Sequence, residues 1–101
     1  MDPVTVFAAL AHQGRQQILT ALRNPERHFT PNGTGVDMTV TGVCVSQVSQ
    51  YLDITPATAS AFLAQLRAAG LLTSERIGKF TYYRRNERGI EEFTRTLRTE
   101  L

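Results

Sequence analysis

The chain has 101 residues, the size of one compact domain, and its 42% hydrophobic and 20% charged content suits a globular protein. No apolar run approaches the ~20 residues needed to span a membrane. The formal net charge is only +2, but residues 55–88 sum to +4 while the segments on either side are each slightly acidic.

The opening Met1-Asp2-Pro3 lacks the basic and apolar regions of a secretory leader, so a cytoplasmic location is expected. Asp2 and Pro3 predict a capped helix over 3–11. Val4, Phe7, Ala8, Leu10 and Ala11 make it apolar over most of its circumference. Such a helix needs cover from its own domain or from a second chain. A second helix is predicted from about Gln13 to Arg23, with an apolar stripe of Ile18, Leu19 and Leu22, and Asn24-Pro25 ends it.

Residues 24–42 hold Pro25, Pro31, Asn32-Gly33, Gly35 and Gly42, a composition that predicts no helix. Val36, Met38 and Val40 alternate with Asp37, Thr39 and Thr41, so a surface excursion with a short hairpin is expected there. Its length is unusual for a connection, which makes it a candidate ligand or partner site. Val43-Cys44-Val45 reads as a small strand, followed by a helix capped by Ser46 and running through Leu52. Asp53-Ile54 makes a turn. Thr55-Pro56 then starts a helix to Ala69 that places Ala59, Phe62, Leu63 and Leu66 on one face, with Gly70 closing it. Residues 71–77 and 80–85 read as strands joined at Gly78-Lys79, a hairpin with a basic tip. A last helix is predicted from about Glu87 to Thr99, striped by Ile90, Phe93, Thr94, Leu97 and Leu101.

A short helix, a tight turn, a longer capped helix and a hairpin thus follow one another within about forty residues. That order is the order of a helix-turn-helix with an adjoining wing, in which the second helix enters the major groove. The expected fold is mostly α with a small β-hairpin wing, one winged helix-turn-helix domain over residues 1–101 carrying the excursion at 24–42.

Val43 to Leu52 followed by Ile54 to Ser60, then Leu63-Ala64-Gln65-Leu66-Arg67-Ala68-Ala69-Gly70-Leu71-Leu72, and the wing Arg76-Ile77-Gly78-Lys79-Phe80-Thr81-Tyr82-Tyr83-Arg84 together resemble the ArsR family of repressors. Upstream, Leu10-Ala11-His12 through Arg15 and Ile18-Leu19 matches the family's opening, with Gly14 in place of a common Thr or Leu. The likeness covers about 80 residues and omits the excursion.

The resemblance implies a homodimer built on the first and last helices, which would set two recognition helices over a pseudo-palindromic operator in double-stranded DNA. It also implies that Thr55, Ala57, Thr58, Ser60 and Ala61 touch bases and phosphates. Hydroxyls reach either target, and Ala can meet a thymine methyl. The helix lacks the basic and imidazole side chains the family often carries at Ala61 and Ala64. Gln47, Arg67, Arg76 and Lys79 are candidate phosphate contacts, while Arg84 and Arg85 alternate, so only one points outward. Thr58 and Ser60 can also be read as solvated helix surface, and Arg76 and Lys79 as an ordinary charged turn.

Many members of the family sense metals through a Cys-x-Cys pair at the start of the first motif helix, where two thiolates suit a soft ion. Here the positions are Cys44 and Ser46. Others use carboxylates and histidines of the last helix, which here holds Glu91, Glu92 and Glu100 but no His. Both familiar metal sites are therefore expected to be absent, with no cofactor and an unknown effector. Cys44, the only cysteine, is a candidate sensor, either as an oxidisable thiol or with His28, Asp37 or His12. Its apolar neighbours also suit a small buried hydrophobe. His12 reads as a cap or surface residue, and His28-Phe29 as a loop anchor.

No phosphate loop, metal-ligand cluster or nucleophile constellation points to an enzyme. Three readings stand: a DNA-binding repressor without a standard metal site, a thiol- or metal-responsive repressor using Cys44, and a winged helix that docks proteins and has lost DNA binding.

Overall fold

At the helix starts at Pro3, Gln13, Met38, Pro56 and Glu87, a side chain supplies a hydrogen bond that helix ends lack, and this fixes where those helices begin. The computed structural model describes residues 2–101. In chain order its elements are α1 (Pro3–Leu10), α2 (Gln13–Ala21), α3 (Pro25–His28), α4 (Met38–Thr41), α5 (Val45–Leu52), α6 (Pro56–Ala68), β1 (Leu72–Ile77), β2 (Phe80–Arg85) and α7 (Glu87–Glu100). The Asp2 carboxylate accepts the Val4 N–H at 3.3 Å and the Thr5 hydroxyl at 2.7 Å, and starts α1. His12 Nδ1 accepts the Gly14 N–H at 3.0 Å and starts α2. Asn86 caps α7 through the Gly89 N–H at 3.2 Å, while its amide donates to the Gly70 carbonyl at 2.9 Å. One side chain thereby ties the end of α6 to the start of α7. Gly70 takes the left-handed conformation, with φ +82°, that closing α6 requires.

The excursion departs from expectation. It forms two short helices, α3 and α4, and no hairpin. Asn24-Pro25 ends α2 as expected, but Pro25 also fits the first position of a new helix. The alternation around Val36 to Thr41 suggested a strand, yet Asp37 accepts the Thr39 N–H at 2.9 Å and its hydroxyl at 2.6 Å. Those local bonds compete with extended pairing and close a helical turn. Gly42 then leaves α4 with φ +96°, and a Cβ there would lie 2.0 Å from the Tyr83 carbonyl oxygen. Only glycine lets the chain pass the wing at that point.

A second correction concerns the start of α5, which begins at Val45 with Cys44 as cap instead of after Ser46. The Gln47 side chain reaches back to accept the Cys44 N–H at 2.8 Å, and this fixes the earlier start. The small strand expected at residues 43–45 shrinks to Val43 alone. Its N–H donates to the Tyr83 carbonyl at 2.9 Å, and its carbonyl accepts from the Tyr83 N–H at 2.7 Å.

Strands β1 and β2 pair antiparallel, with Leu72 opposite Arg85 and Ile77 opposite Phe80 across the Gly78-Lys79 turn. Helix α6 is the hub: α1, α2, α5 and β1 all pack on it. Its Ala59, Leu63 and Leu66 are fully buried, together with Val6, Ile18 and Val48 from the surrounding helices. Burial of each such leucine or isoleucine is worth about 1.5–3 kcal/mol. Phe29, just after α3, is buried against Tyr51 with ring centres 4.9 Å apart, so it anchors the excursion to α5.

At the opposite edge α1 and α7 meet through an edge-on contact of Phe7 and Phe93 at 5.4 Å. Phe93 is buried, but Val4 stays 73% exposed, Phe7 45% and Leu101 92%. No helix among the described residues is long and apolar enough to cross a membrane.

Candidate nucleic-acid interface

Helix α6 starts at a firm point because Thr55 caps it. Thr55 Oγ1 accepts the Thr58 N–H at 3.2 Å and donates its own proton to Thr58 Oγ1 at 3.0 Å. Since that bond occupies a Thr58 lone pair, the Thr58 proton is free to donate outward. Ala57, Thr58, Ser60 and Ala61 are all exposed, as are Thr55 and Pro56. At helical spacing the face opposite buried Ala59 and Leu66 is a ridge of Ala57, Ala61, Ala64 and Ala68. Ser60 and Arg67 flank this ridge on one side, and Thr58 and Gln65 on the other. The low ridge carries no side chain beyond Cβ, so a partner surface can approach the helix backbone closely.

The hairpin adds positive charge beside this helix. Pro56 and Ser60 of α6, Ser46 of α5, and Lys79, Phe80 and Thr81 of the hairpin line one open groove of about 400 Å³. Arg76 and Lys79 are exposed and, among the described residues, form no ion pair. Arg67 is exposed two turns after Ser60 and lines a separate groove at the root of the wing with Ser74 and Asn86.

Arg84 pairs with Glu75 at 3.2 Å on the hairpin face that also carries Tyr82. Arg85 is the inward one of the two: its side chain is 15% exposed, binds Glu87 at 2.7 Å and donates to the Leu19 carbonyl at 2.9 Å. The hydrogen bond from Arg85 holds the Glu87 carboxyl below the ordinary carboxylate range.

Gln47 does not sit where a phosphate contact would need it. It is only 3% exposed. Its oxygen is taken by the Cys44 N–H, and its amide donates to the Thr30 carbonyl at 2.9 Å and faces Met38 Sδ at 3.4 Å. The reason has a local and a remote part: with the helix starting at Val45, Gln47 caps the Cys44 N–H, and the Thr30 carbonyl 17 residues upstream takes its amide, which makes it the fastening between α5 and the excursion.

Cys44 is buried, with its sulfur 3.2 Å from Ser46 Oγ and 3.7 Å from Asn32 Nδ2. The histidines raised as its partners are engaged elsewhere. His12 stacks on Phe62 at 4.7 Å and His28 meets the Tyr51 ring at 5.8 Å. The Asp37 carboxylate is bound to Thr39, whose hydroxyl lowers its pKa. Among the described residues no three His, Cys, Asp or Glu side chains gather as a metal-binding group.

Two positioning groups escaped the sequence reading. Arg15 donates to the Ala9 carbonyl at 2.6 Å, to the Ala8 carbonyl at 3.1 Å and to Gln65 Oε1 at 3.0 Å. Its guanidinium carbon also lies 5.6 Å from the Phe62 ring centre. It therefore caps the C-terminus of α1 and fastens it to α6. The second group is the ring formed by Asn32, Tyr82 and Thr34. Asn32 donates to Tyr82 Oη at 3.1 Å, and Thr34 Oγ1 donates to Asn32 Oδ1 at 2.6 Å. Tyr82 must then donate to Thr34 Oγ1, 3.2 Å away, because the Thr34 proton is already used. A lone arginine in an otherwise polar helix start, and an Asn-Gly turn upstream of a buried tyrosine, were the signals that could have revealed them.

Comparison with known proteins agrees with this geometry. Residues 43–74 match the family model described as bacterial regulatory protein, arsR family. Over all 101 residues the chain is 48% identical to the uncharacterised HTH-type transcriptional regulator YbzH of Bacillus subtilis (strain 168), covering 100% of both chains. Among solved structures it is similar to an ArsR-like transcriptional regulator from Rhodococcus sp. RHA1, with 26% identity, a TM-score of 0.69, and coverage of 96% of this chain and 76% of that one. It is also similar to the homodimeric winged helix-turn-helix DNA-binding domain of a possible ArsR-family regulator from Mycobacterium bovis, with 26% identity, a TM-score of 0.63, and coverage of 96% and 76%. The matching family is one of bacterial regulatory proteins, and the relative from Bacillus subtilis is a transcriptional regulator. A capped helix with an open outer ridge, a cationic hairpin beside it and a relative matched end to end lead to one assignment: the chain belongs to the ArsR family of bacterial regulatory proteins and carries its DNA-binding winged helix-turn-helix.

Proposed function

We propose that the protein is a homodimeric repressor acting in the cytoplasm, which binds a pseudo-palindromic operator in double-stranded DNA and lacks the family's two familiar metal sites. The whole chain then works as a single winged helix-turn-helix domain, with residues 24–42 as a fastened excursion. The observation that carries the reading is the shared groove: Ser60 and Pro56 of α6 face Lys79 of the wing across one open surface. A helix in the major groove would present Ala57, Thr58 and Ala61 to base edges, with Thr58 as donor and the alanines against thymine methyls. Thr55, Ser60, Arg67, Arg76 and Lys79 would hold the backbone, which sets position and most of the affinity.

The half-exposed Phe7 beside Phe93, with exposed Val4 on α1 and Leu101 at the end of α7, supplies apolar surface of the kind a second copy covers. Two copies joined there would set the two α6 helices about one helical turn of DNA apart, roughly 34–36 Å. Burial of Cys44 beside Ser46 Oγ supports its role as a core residue, so Cys44→Ser should leave the response to oxidant and metals unchanged.

The test is selection of bound fragments from random duplex DNA, followed by salt titration on the preferred site. A palindromic preference and an affinity that falls steeply with salt are expected. Thr58→Ala should weaken the preferred site more than random DNA. Binding to neither DNA would favour a protein-docking winged helix instead.

A further inference from the structure

We infer that residues 30–32 of the excursion, with the facing side of α5, form an additional contact to the sugar-phosphate backbone of the duplex. The inference rests on the duplex-binding reading above and extends it to a segment outside the family match, which begins at residue 43.

Thr30 and Asn32 form one bank of an open groove of about 340 Å³, and Ser46, Ser49 and Gln50 of α5 form the other. Pro56, the first residue of α6, lies at the end of this groove. Ser46 and Pro56 also line the groove that runs to Lys79 and Phe80 of the wing. The two depressions therefore meet at the start of the recognition helix, and one continuous surface runs from the loop, past α6, to the wing tip.

The chemistry of the added half fits a phosphodiester. Its polar lining contains no carboxylate; Ser49, Gln47 and Asn32 donate within the fold, and the exposed Thr30 hydroxyl and Gln50 amide are the neutral donors turned to a partner. Neutral donors of this type supply a large share of backbone contacts to DNA. The loop is also held in place before any partner arrives. Asn32, Tyr82 and Thr34 close their hydrogen-bonded ring at its far side. Gln47 grips the Thr30 carbonyl from below. Because Tyr82 belongs to β2, loop and wing are fixed to each other, and ordering them on binding costs little.

The experiment uses the full chain and a duplex carrying the selected site. Thr30 and Gln50 are exposed, and neither side chain holds the fold, so Thr30→Lys and Gln50→Lys leave thermal unfolding unchanged. Each lysine should steepen the slope of log affinity against log salt by about 0.9 per newly neutralised phosphate. A lysine in place of Thr99, near the end of α7, serves as the control and should not change the slope.

In phosphate-ethylation interference, the wild type should show a phosphate whose modification blocks binding and whose effect disappears in Thr30→Ala or Gln50→Ala. If the wild type binds duplex but the loop lysines match the Thr99 control and no such phosphate is found, this inference fails and the duplex-binding reading survives. If the wild type shows no salt-dependent duplex binding, both fail.

Discussion

Asn32 and Tyr82 stand 50 positions apart in sequence, yet the asparagine amide donates to the tyrosine hydroxyl at 3.1 Å. That bond joins the excursion to the wing, and Tyr82, only 2% exposed, has Asn32 and Thr34 as the partners of its hydroxyl. Tyr82→Phe keeps the ring but leaves the amide and the threonine with an unmet partner. Chemical denaturation should show a loss of about 1–2 kcal/mol. Asn32→Ala should cost a similar amount. The double variant should cost less than the sum, since both changes break one network.

Arg15 joins the C-terminus of α1 to Gln65 of α6. Lysine keeps the charge but cannot make the forked set of bonds. Arg15→Lys should therefore lower stability by about 1–2 kcal/mol, in the range of charge-assisted hydrogen bonds. It should also weaken binding to the preferred site, because α6 loses part of its support. Recovery of full site affinity at saturating stability, for example in a stabilising osmolyte, would show that Arg15 serves stability alone.

Arg76 and Lys79 carry the wing's unpaired charge. Replacing either with alanine should weaken binding to every duplex alike and reduce the salt slope by about 0.9 for each phosphate left without its cation. Fluorescence anisotropy at several salt concentrations measures this. A loss confined to one sequence would instead make the residue a base reader.

Phe7 is half-exposed at the α1–α7 edge and packs on Phe93. A charged Phe7→Asp side chain should prevent a second copy from covering that edge. Sedimentation should then report a monomer where the wild type gives a dimer, and operator binding should fall sharply. A wild type that sediments as a monomer at micromolar concentration would remove the dimer from the proposal.

Glu87 links the acid range to stability. Arg85 holds its carboxyl below the ordinary value of 4.5 by hydrogen bonding. Because the folded-state pKa is depressed, the contribution is present above the unfolded value and lost as pH falls through the folded one. Glu87→Gln should therefore lower stability at neutral pH and flatten its decline below about pH 4.5. The Glu87 side chain is largely exposed, so the effect should be small and reduced by salt. Denaturation curves across about pH 3–7, a range chosen around the ordinary carboxylate values, would measure it.

Much of the fold was legible because its signals are local. Asp2, Thr55-Pro56 and Gly70 act within a few residues of themselves, and the helices and hairpin they delimit appear as expected. The ordered run from Val43 to Arg84 was likewise visible as a family pattern. Local signals were also what misled at the excursion. The alternation of Val36, Met38 and Val40 suits a strand, but the Asp37 carboxylate closes a helical turn before any strand partner can compete.

Three results depended on contacts between distant parts of the chain. Gln47 looked like a surface amide until the early start of α5 turned it inward against Thr30. Alternation left open which of Arg84 and Arg85 points outward until packing set Arg85 against Leu19 and Glu87. The excursion stood out in the sequence only by its length, as a candidate ligand or partner site, and contacts from Tyr82 and Gln47 decided that residues 30–32 lie beside the start of α6. Residue types and their spacing decide which helices and turns form, since those bonds close within one or two turns of chain. Which polar side chains remain free for DNA was decided only when the folded chain brought remote partners within hydrogen-bonding reach.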